Sequence, residues 1–336
     1  MTKKSVLVTG GAGFVGANLV KRLLDYEDFH IVVLDDLSGG VRENVPQNEN
    51  ISFVEGTIAD VQLIKELFQK HQFFYVYHLA AYAAEGLSHF IRRFNYENNL
   101  IGSINLINES VNTGVKRFVF TSSIAVYGAG QVPMREDMAP QPEDPYGIAK
   151  YAVELDLKNA HEMFGLDYVI FRPHNVYGEY QNIGDKYRNV VGIFMNQILK
   201  DEPMTIFGDG EQKRAFSYVG DLLDPMITSA WLDAARNQIF NVGADVPYTV
   251  NFLAKKIGEA FGKPDYPVRH LDARNEVVEA YSSHSKAEKA FGKSNTTSLE
   301  QGLKKMASWV KDVGSRESSF FGNIEIPKNL PPSWVQ

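Results

Sequence analysis

Cysteine is absent from the 336 residues. That excludes disulfide staples, thiolate metal sites and a thiol nucleophile. No apolar run approaches the ~18 residues that a membrane-spanning helix requires. The apolar part of MTKKSVLVTGG is too short for a secretory signal and runs directly into a strand pattern. The eight histidines contain no H-x-x-x-H pair, so the common zinc spacing is missing and no metal is expected. Excess positive charge is lacking too: the net charge is −7, and tracking a phosphate backbone needs basic surface. What remains is 44% hydrophobic and 22% charged, the composition of an ordinary globular protein with a sizeable core. A cytoplasmic protein without membrane or nucleic-acid partners is expected.

The first half alternates short β-rich runs with helical patterns. Residues 5–9, 30–35, 74–80, 116–123 and 167–172 are apolar and β-branched with little alternation, as in strands covered on both faces. Between them, FVGANLVKRLLDY, DVQLIKELFQK, residues 90–113 and YGIAKYAVELDLKNAHEMFG place apolar residues at helical spacing. Repeated β-α-β units predict an α/β fold, a Rossmann-type doubly wound parallel sheet with right-handed crossovers. Residues 1–178 are expected to form this dinucleotide-binding domain, and a strand near 239–244 is expected to return to its sheet. From 179 to 315, loops rich in Gly, Asn and Asp alternate with helices at 190–200, 220–234 and 250–262, which reads as a smaller substrate-binding lobe. Residues 316–336 have weak periodicity and three prolines, and are expected on the surface.

VLVTGGAGFVGANLVKRLL carries Gly10, Gly13 and Gly16 between the first strand and its helix. Such a turn needs one glycine for its tightness, one for close approach to a pyrophosphate and one for helix–strand packing. Phe14 and Val15 then open a helix whose free N–H groups and positive dipole end favour phosphates. The second strand ends in Asp35-Asp36. A carboxylate there accepts from a ribose 2′-OH and repels a 2′-phosphate, and no arginine follows closely, so NAD is expected over NADP. Asp60, preceded by Ile58 and Ala59, suits an adenine contact; N-capping of the following helix is the competing reading.

In DPYGIAK, Tyr146 and Lys150 stand four apart on one helix face. With 16 tyrosines and 21 lysines in 336 residues, about one Tyr-x-x-x-Lys arises by chance, so context must decide. The strand before it ends in TSSIAVYG, and ligands of open α/β sheets bind beyond the carboxyl ends of strands. Ser122 and Ser123 are therefore expected beside a nicotinamide, with Tyr146 delivered to the same crevice. An ammonium at Lys150, joined by the charge of oxidised NAD, favours the phenolate and is expected to draw Tyr146 from ~10 towards neutrality as a general base. Ser123 would hold the substrate oxygen.

TGGAGFVG, HLAA, NLIGSINLI, TSSIAVYG, YGIAK, FRPHNVYG and RAFSYVGD occur in that order over roughly residues 5–310. In this the chain closely resembles the extended short-chain dehydrogenase/reductase family, in its nucleotide-sugar epimerase/dehydratase branch, and most of all the UDP-glucose 4-epimerases. The resemblance implies that Leu79, Ala80 and Ala81 line the cofactor beside Pro173, and that Asn99 supports the active-site helix. The Asp-Glu pair usual after the active-site hydroxyl in 4,6-dehydratases is replaced by Ile124-Ala125. Hydride transfer at a hydroxyl-bearing carbon remains, and the implied activity is C4 epimerisation of a UDP-hexose through a 4-keto sugar.

The same resemblance assigns nucleotide-sugar contacts to Asn175, Arg188, Asn189, Phe207, Arg214 and Arg274, and a pocket wall to Tyr281 that leaves little room for an N-acetyl group. Several departures are visible: Glu179-Tyr180 stand where Pro-Arg is common, Lys186 and Arg188 add charge that would suit a uronate, and YAAEGLS is unusual in wording. A homodimer joined through helices at about 89–113 and 145–164 is the implied assembly.

Overall fold

In the computed structural model, residues 3–185, 187–273, 279–293, 296–318, 321–331 and 334 are described. Seven parallel strands form the main sheet: β1 (Lys4–Thr9), β2 (Phe29–Asp35), β3 (Ile51–Glu55), β4 (Tyr75–His78), β5 (Arg117–Thr121), β6 (Tyr168–Pro173) and β7 (Gln238–Val242). Their order is β7-β6-β5-β4-β1-β2-β3. The chain therefore winds one way from β1 and the other way from β4. That reversal opens a crevice outside the carboxyl ends of β1 and β4. The register brings Thr9 level with both Leu34 and His78, so segments leaving several strands meet at one edge.

Both sheet faces are covered, which is why the strands read as unbroken apolar runs. One face packs Val6, Val8, Val33, Tyr77 and Phe171 against helix α1 (Phe14–Leu23). The other packs Leu7, Val32, Val76, Phe118 and Phe120 under helix α2 (Val61–His71). Two short helices follow β4, α3 (Glu85–Ser88) and α4 (Arg92–Tyr96). The single helix expected over 90–113 is instead α4, a π-turn at Glu97–Ile101 and α5 (Gly102–Thr113). Strand β3 escaped the sequence reading because it is an edge strand, only half-buried. The return strand is present as β7, parallel to β6.

Helix α6 (Pro145–Phe164) carries the Tyr-x-x-x-Lys pair. Beyond it, α7 (Val190–Leu199) leads into a second core, which it shares with α9 (Val250–Ala260) and α11 (Leu299–Val313). Two intervening helices, α8 (Gly220–Thr228) and α10 (Ser285–Phe291), go to the main sheet: Leu222, Met226 and Ala287 lie in its core. The chain thus crosses between the two cores more than once.

The described residues after α11 are on the surface, yet they are fastened there. The Arg316 N–H and C=O bond both ends of the Asn196 amide at 2.9 Å. Both oxygens of Glu325 accept N–H groups opening α4, from Arg93 at 2.8 Å and Phe94 at 2.9 Å. Phe321 and Trp334 complete an aromatic cluster with Tyr82, Phe90, Phe94 and Tyr187.

A buried ion pair joins α6 to β6. Arg172 Nε donates to Glu154 Oε1 at 2.9 Å, and Nη2 bonds the other oxygen. Both residues are almost wholly buried, and the guanidinium stacks on Tyr127 with Cζ 4.7 Å from the ring centroid. Removing one partner strands a buried charge. Glu154→Leu is expected to lower unfolding free energy by about 3–5 kcal/mol in urea titration, with Glu154→Leu/Arg172→Met recovering most of it.

Candidate active site

The glycine turn closes tightly. Gly10 has φ +69°, and a Cβ there would lie 2.8 Å from the Ala80 backbone, so β1 and the segment after β4 touch only because side chains are absent. A Cβ on Gly16 would meet the Gly10 carbonyl at 2.1 Å. The N-cap of α1 is Gly13, and no side chain caps this helix; its first N–H groups at Phe14 and Val15 are directed at the crevice. The buried Asp35 carboxylate accepts from Ala12 N–H at 2.9 Å and Leu37 N–H at 2.8 Å. It thereby ties the end of β2 to the turn and keeps lone pairs for a ribose hydroxyl. Burial raises its pKa against the pull of those N–H groups. The exposed Asp36 accepts from Ser38. A glycine cradle, an uncapped helix start and a carboxylate at the β2 end fit a dinucleotide.

Asp60 is the N-cap of α2, accepting from Leu63 N–H at 3.0 Å, so the capping reading describes its contact. Ile58 is buried against Gly102 while Ala59 is exposed. The hydroxyl of Ser122 is taken up within the protein: it is buried and donates to Glu154 Oε1 at 2.6 Å. The cause is the Glu154–Arg172 pair, whose carboxylate needs donors. Leu79, Ala80 and Pro173 are half-buried at the carboxyl ends of their strands, and Ala81 follows them.

Tyr146 and Ser123 are brought together, and the serine hydroxyl favours the Tyr146 phenolate. Ser123 also caps the short 3₁₀ turn Ile124–Tyr127, accepting from Ala125 N–H at 3.1 Å. One turn along α6, Lys150 Nζ donates to Thr121 C=O at 2.8 Å and sits 5.8 Å from the Tyr146 ring centroid. The electrostatic expectation is reversed in the protein alone. Burial pushes the Tyr146 phenol up and Glu85 adds to this, while Ser123 opposes. Burial likewise pushes Lys150 down to about 7, against the pull of Glu154. For the tyrosine, desolvation outweighs the help of Ser123 and Arg188.

Asn99 lies in the π-turn, a distortion that recurs at functional sites. Its amide holds the segment after β4: Tyr82 N–H donates to Oδ1 at 2.8 Å, and Nδ2 donates to Tyr82 C=O at 3.0 Å. Nδ2 also reaches Asn95, whose own amide bonds Pro145 C=O at 2.8 Å beside Tyr146. His78 joins in from below. Ser103 donates to Asn99 C=O, so His78 Nε2 donates to Ser103 at 2.8 Å and Nδ1 accepts from Thr9. Burial keeps this imidazole neutral.

On the far wall, Asn175 adopts φ +40° and donates to Ala215 C=O at 3.2 Å. Asn189 N-caps α7. Phe207 ends the strand Met204–Phe207, and Arg214 lies in Lys213–Ala215, where it acts electrostatically on Glu85. The Tyr281 carbonyl accepts from Met134 N–H at 3.0 Å. Lys186 and Arg274 fall outside the described residues. Glu179 and Tyr180 brace the wall: Tyr218 donates to Glu179 at 3.0 Å, and Lys21 Nζ sits 3.4 Å from the Tyr180 centroid. Sequence reasoning missed Glu85. It is open to the crevice yet ringed by protein, and burial with Asp144 pushes it up to about 7 against the pull of Arg214. The odd wording YAAEGLS was its only signal.

A doubly wound sheet with a glycine-turn cradle at its switch point, and Ser123, Tyr146 and Lys150 gathered beyond β5, defines a dinucleotide-binding α/β protein. Residues 6–243 match the model of the NAD dependent epimerase/dehydratase family. The chain belongs to that family, and its cofactor is NAD. A UDP-glucose 4-epimerase from Thermotoga maritima, solved with UDP-glucose, is 34% identical, with 92% of this chain and 99% of that one covered and a TM-score of 0.86. A UDP-N-acetylglucosamine 4-epimerase from Methanobrevibacter ruminantium is 33% identical, covering 93% and 100%, with a TM-score of 0.87. A UDP-glucuronic acid 4-epimerase from Bacillus cereus, solved with UDP-glucuronic acid and NAD, is 26% identical, covering 92% and 99%, with a TM-score of 0.85. Among the described residues no helix is long and apolar enough to cross a membrane, and no group of three or more His, Cys, Asp and Glu is placed to hold a metal ion.

Lys150 provides a test free of cofactor. Between about pH 7, its folded value, and 10.5, its ordinary one, the unfolded chain carries a proton that the folded protein does not, so the lysine makes stability rise with pH. Urea titrations of NAD-free protein at pH 7, 8 and 9 should show wild type gaining on Lys150→Met at each step.

Proposed function

We propose that the protein is an NAD-dependent nucleotide-sugar 4-epimerase acting on UDP-glucose and UDP-galactose. The observation that carries this is the convergence of Ser123, Tyr146 and Lys150 beyond the carboxyl end of β5, with Lys150 anchored on Thr121 C=O. Ile124 and Ala125 follow Ser123 without a carboxylate. That arrangement can move a proton on and off a hydroxyl, and it lacks in this segment the acid–base pair that water elimination uses.

Ser123 positions the sugar's C4 oxygen, and Tyr146 takes the C4-hydroxyl proton as that carbon is oxidised to the ketone. The 4-keto sugar turns about its diphosphate linkage, and Tyr146 returns the proton as the opposite face is reduced. Bound NAD supplies the hydride acceptor, and its positive ring adds the favourable charge that Tyr146 lacks in the protein alone. Lys150, anchored on Thr121, keeps its charge below the tyrosine once negative groups share the crevice. Asn175, Asn189, Phe207, Arg214, Arg274 and Tyr281 are assigned to the nucleotide sugar, and the working form is taken to be a cytoplasmic homodimer.

Two observations favour a neutral hexose over the uronate. Glu85 acts electrostatically on Tyr146, and above about pH 7, where it is ionised, it repels a second carboxylate in the crevice. Arg188, which sequence reasoning offered to a uronate, lies instead against Gly39 and Tyr82, towards the carboxyl end of β1.

Tyr146→Phe should lose several powers of ten in kcat while retaining NAD. Near-normal turnover would remove Tyr146 from the mechanism. With wild type, kcat/KM for UDP-glucose should exceed that for UDP-glucuronate and UDP-N-acetylglucosamine. A reversed order would place the substrate among those alternatives.

A further inference from the structure

Arg188 lies at an unexpected place for a residue of the sugar pocket. It belongs to the segment entering α7, yet its guanidinium reaches the main sheet. A Cβ built on Gly39, in the segment after β2, would lie 3.7 Å from Nη2 and 3.8 Å from Nη1. On the other side Cζ is 4.9 Å from the centroid of Tyr82, in the segment after β4, where its charge draws the Tyr82 phenol down against burial. In the sheet, β1 lies between β2 and β4. An arginine touching the segments after both neighbours therefore spans the mouth over the carboxyl end of β1. Below it are the glycine turn and the uncapped start of α1.

We infer that Arg188 is a cofactor-retaining residue: it closes over the dinucleotide's diphosphate from the side opposite the α1 N-terminus and slows NAD release.

The geometry divides the guanidinium suitably. Its Nε edge faces Asp185 at 2.9 Å, which aims the side chain, while Nη1 and Nη2 are the atoms nearest Gly39. A planar fork with one edge fixed is pre-organised for a phosphate oxygen. Gly39 itself adds no side chain to the gap. The reach is braced from behind, where Phe321 N–H donates to the Tyr187 hydroxyl at 3.2 Å and Trp334 packs on the Tyr187 ring at 5.2 Å. The inference depends on the family's cofactor and is independent of which sugar is turned over.

The test uses wild type, Arg188→Ala and Arg188→Lys. Release of radiolabelled NAD is followed during a chase with excess unlabelled NAD, and affinity by titration into NAD-free protein. Circular dichroism and the urea midpoint of the NAD-free forms establish that each variant is folded. Release from Arg188→Ala should be on the order of tenfold faster or more, with Arg188→Lys between the two because a single ammonium keeps charge without the fork. Unchanged release and affinity in Arg188→Ala would overturn the inference. So would unchanged NAD release with a raised KM for the nucleotide sugar, which would return Arg188 to the sugar pocket. If Arg188→Ala does not fold, Arg188→Lys decides: release at the wild-type rate contradicts the inference and faster release supports it.

Discussion

A buried line of polar groups runs from the glycine turn to the catalytic helix, and the site's geometry rests on it. Thr9 at the end of β1 bonds His78, His78 bonds Ser103, Ser103 bonds Asn99, and Asn99 reaches Asn95, which holds Pro145. Each such bond is worth only about 0.5–1.5 kcal/mol net, whereas a buried member left unpaired costs about 1–3 kcal/mol. The line therefore has a strong preference for one arrangement. It fixes the segment after β4 through Tyr82 and the start of α6 through Pro145, and these flank the crevice. The π-turn at Glu97–Ile101 is what lets Asn99 present its amide to Tyr82 while its carbonyl still accepts from Ser103.

The same burial that orders the site works against its charges. Tyr146 is pushed up and Lys150 down, so the protein by itself stores a phenol and a weakly basic amine. A cationic ring brought into the crevice changes that balance for the tyrosine, and phosphate groups change it for the lysine. Cofactor binding and activation of the acid–base pair are then one electrostatic event. Glu85 on the tyrosine's side and Arg214 on the opposite wall set the background field, and the Glu154–Arg172 pair carries α6 on a fixed base.

Much of this was legible in the residues. The apolar runs of β1, β2 and β4–β6 are long and covered on both faces, so their periodicity is unambiguous; β3 is a half-buried edge and gave a weaker pattern. The glycine spacing and the Tyr146–Lys150 pair were readable because their chemistry demands fixed separations. The bond of the Ser122 hydroxyl was not readable because its partner, Glu154, is 32 positions away and no local pattern reports a buried ion pair. The same holds for Arg188, whose meaning comes from Gly39 and Tyr82, brought to it only by the fold. The break between α4 and α5 was hidden because a π-turn keeps helical spacing almost intact.

The central claim is that one carbon is oxidised and re-reduced inside a closed site through Tyr146. UDP-glucose carrying deuterium at C4 tests it most directly. Proton NMR of the galactose epimer should show the deuterium retained at C4, with none exchanged for solvent hydrogen. Loss of the label to water, or incorporation of solvent hydrogen at a neighbouring carbon, would contradict it.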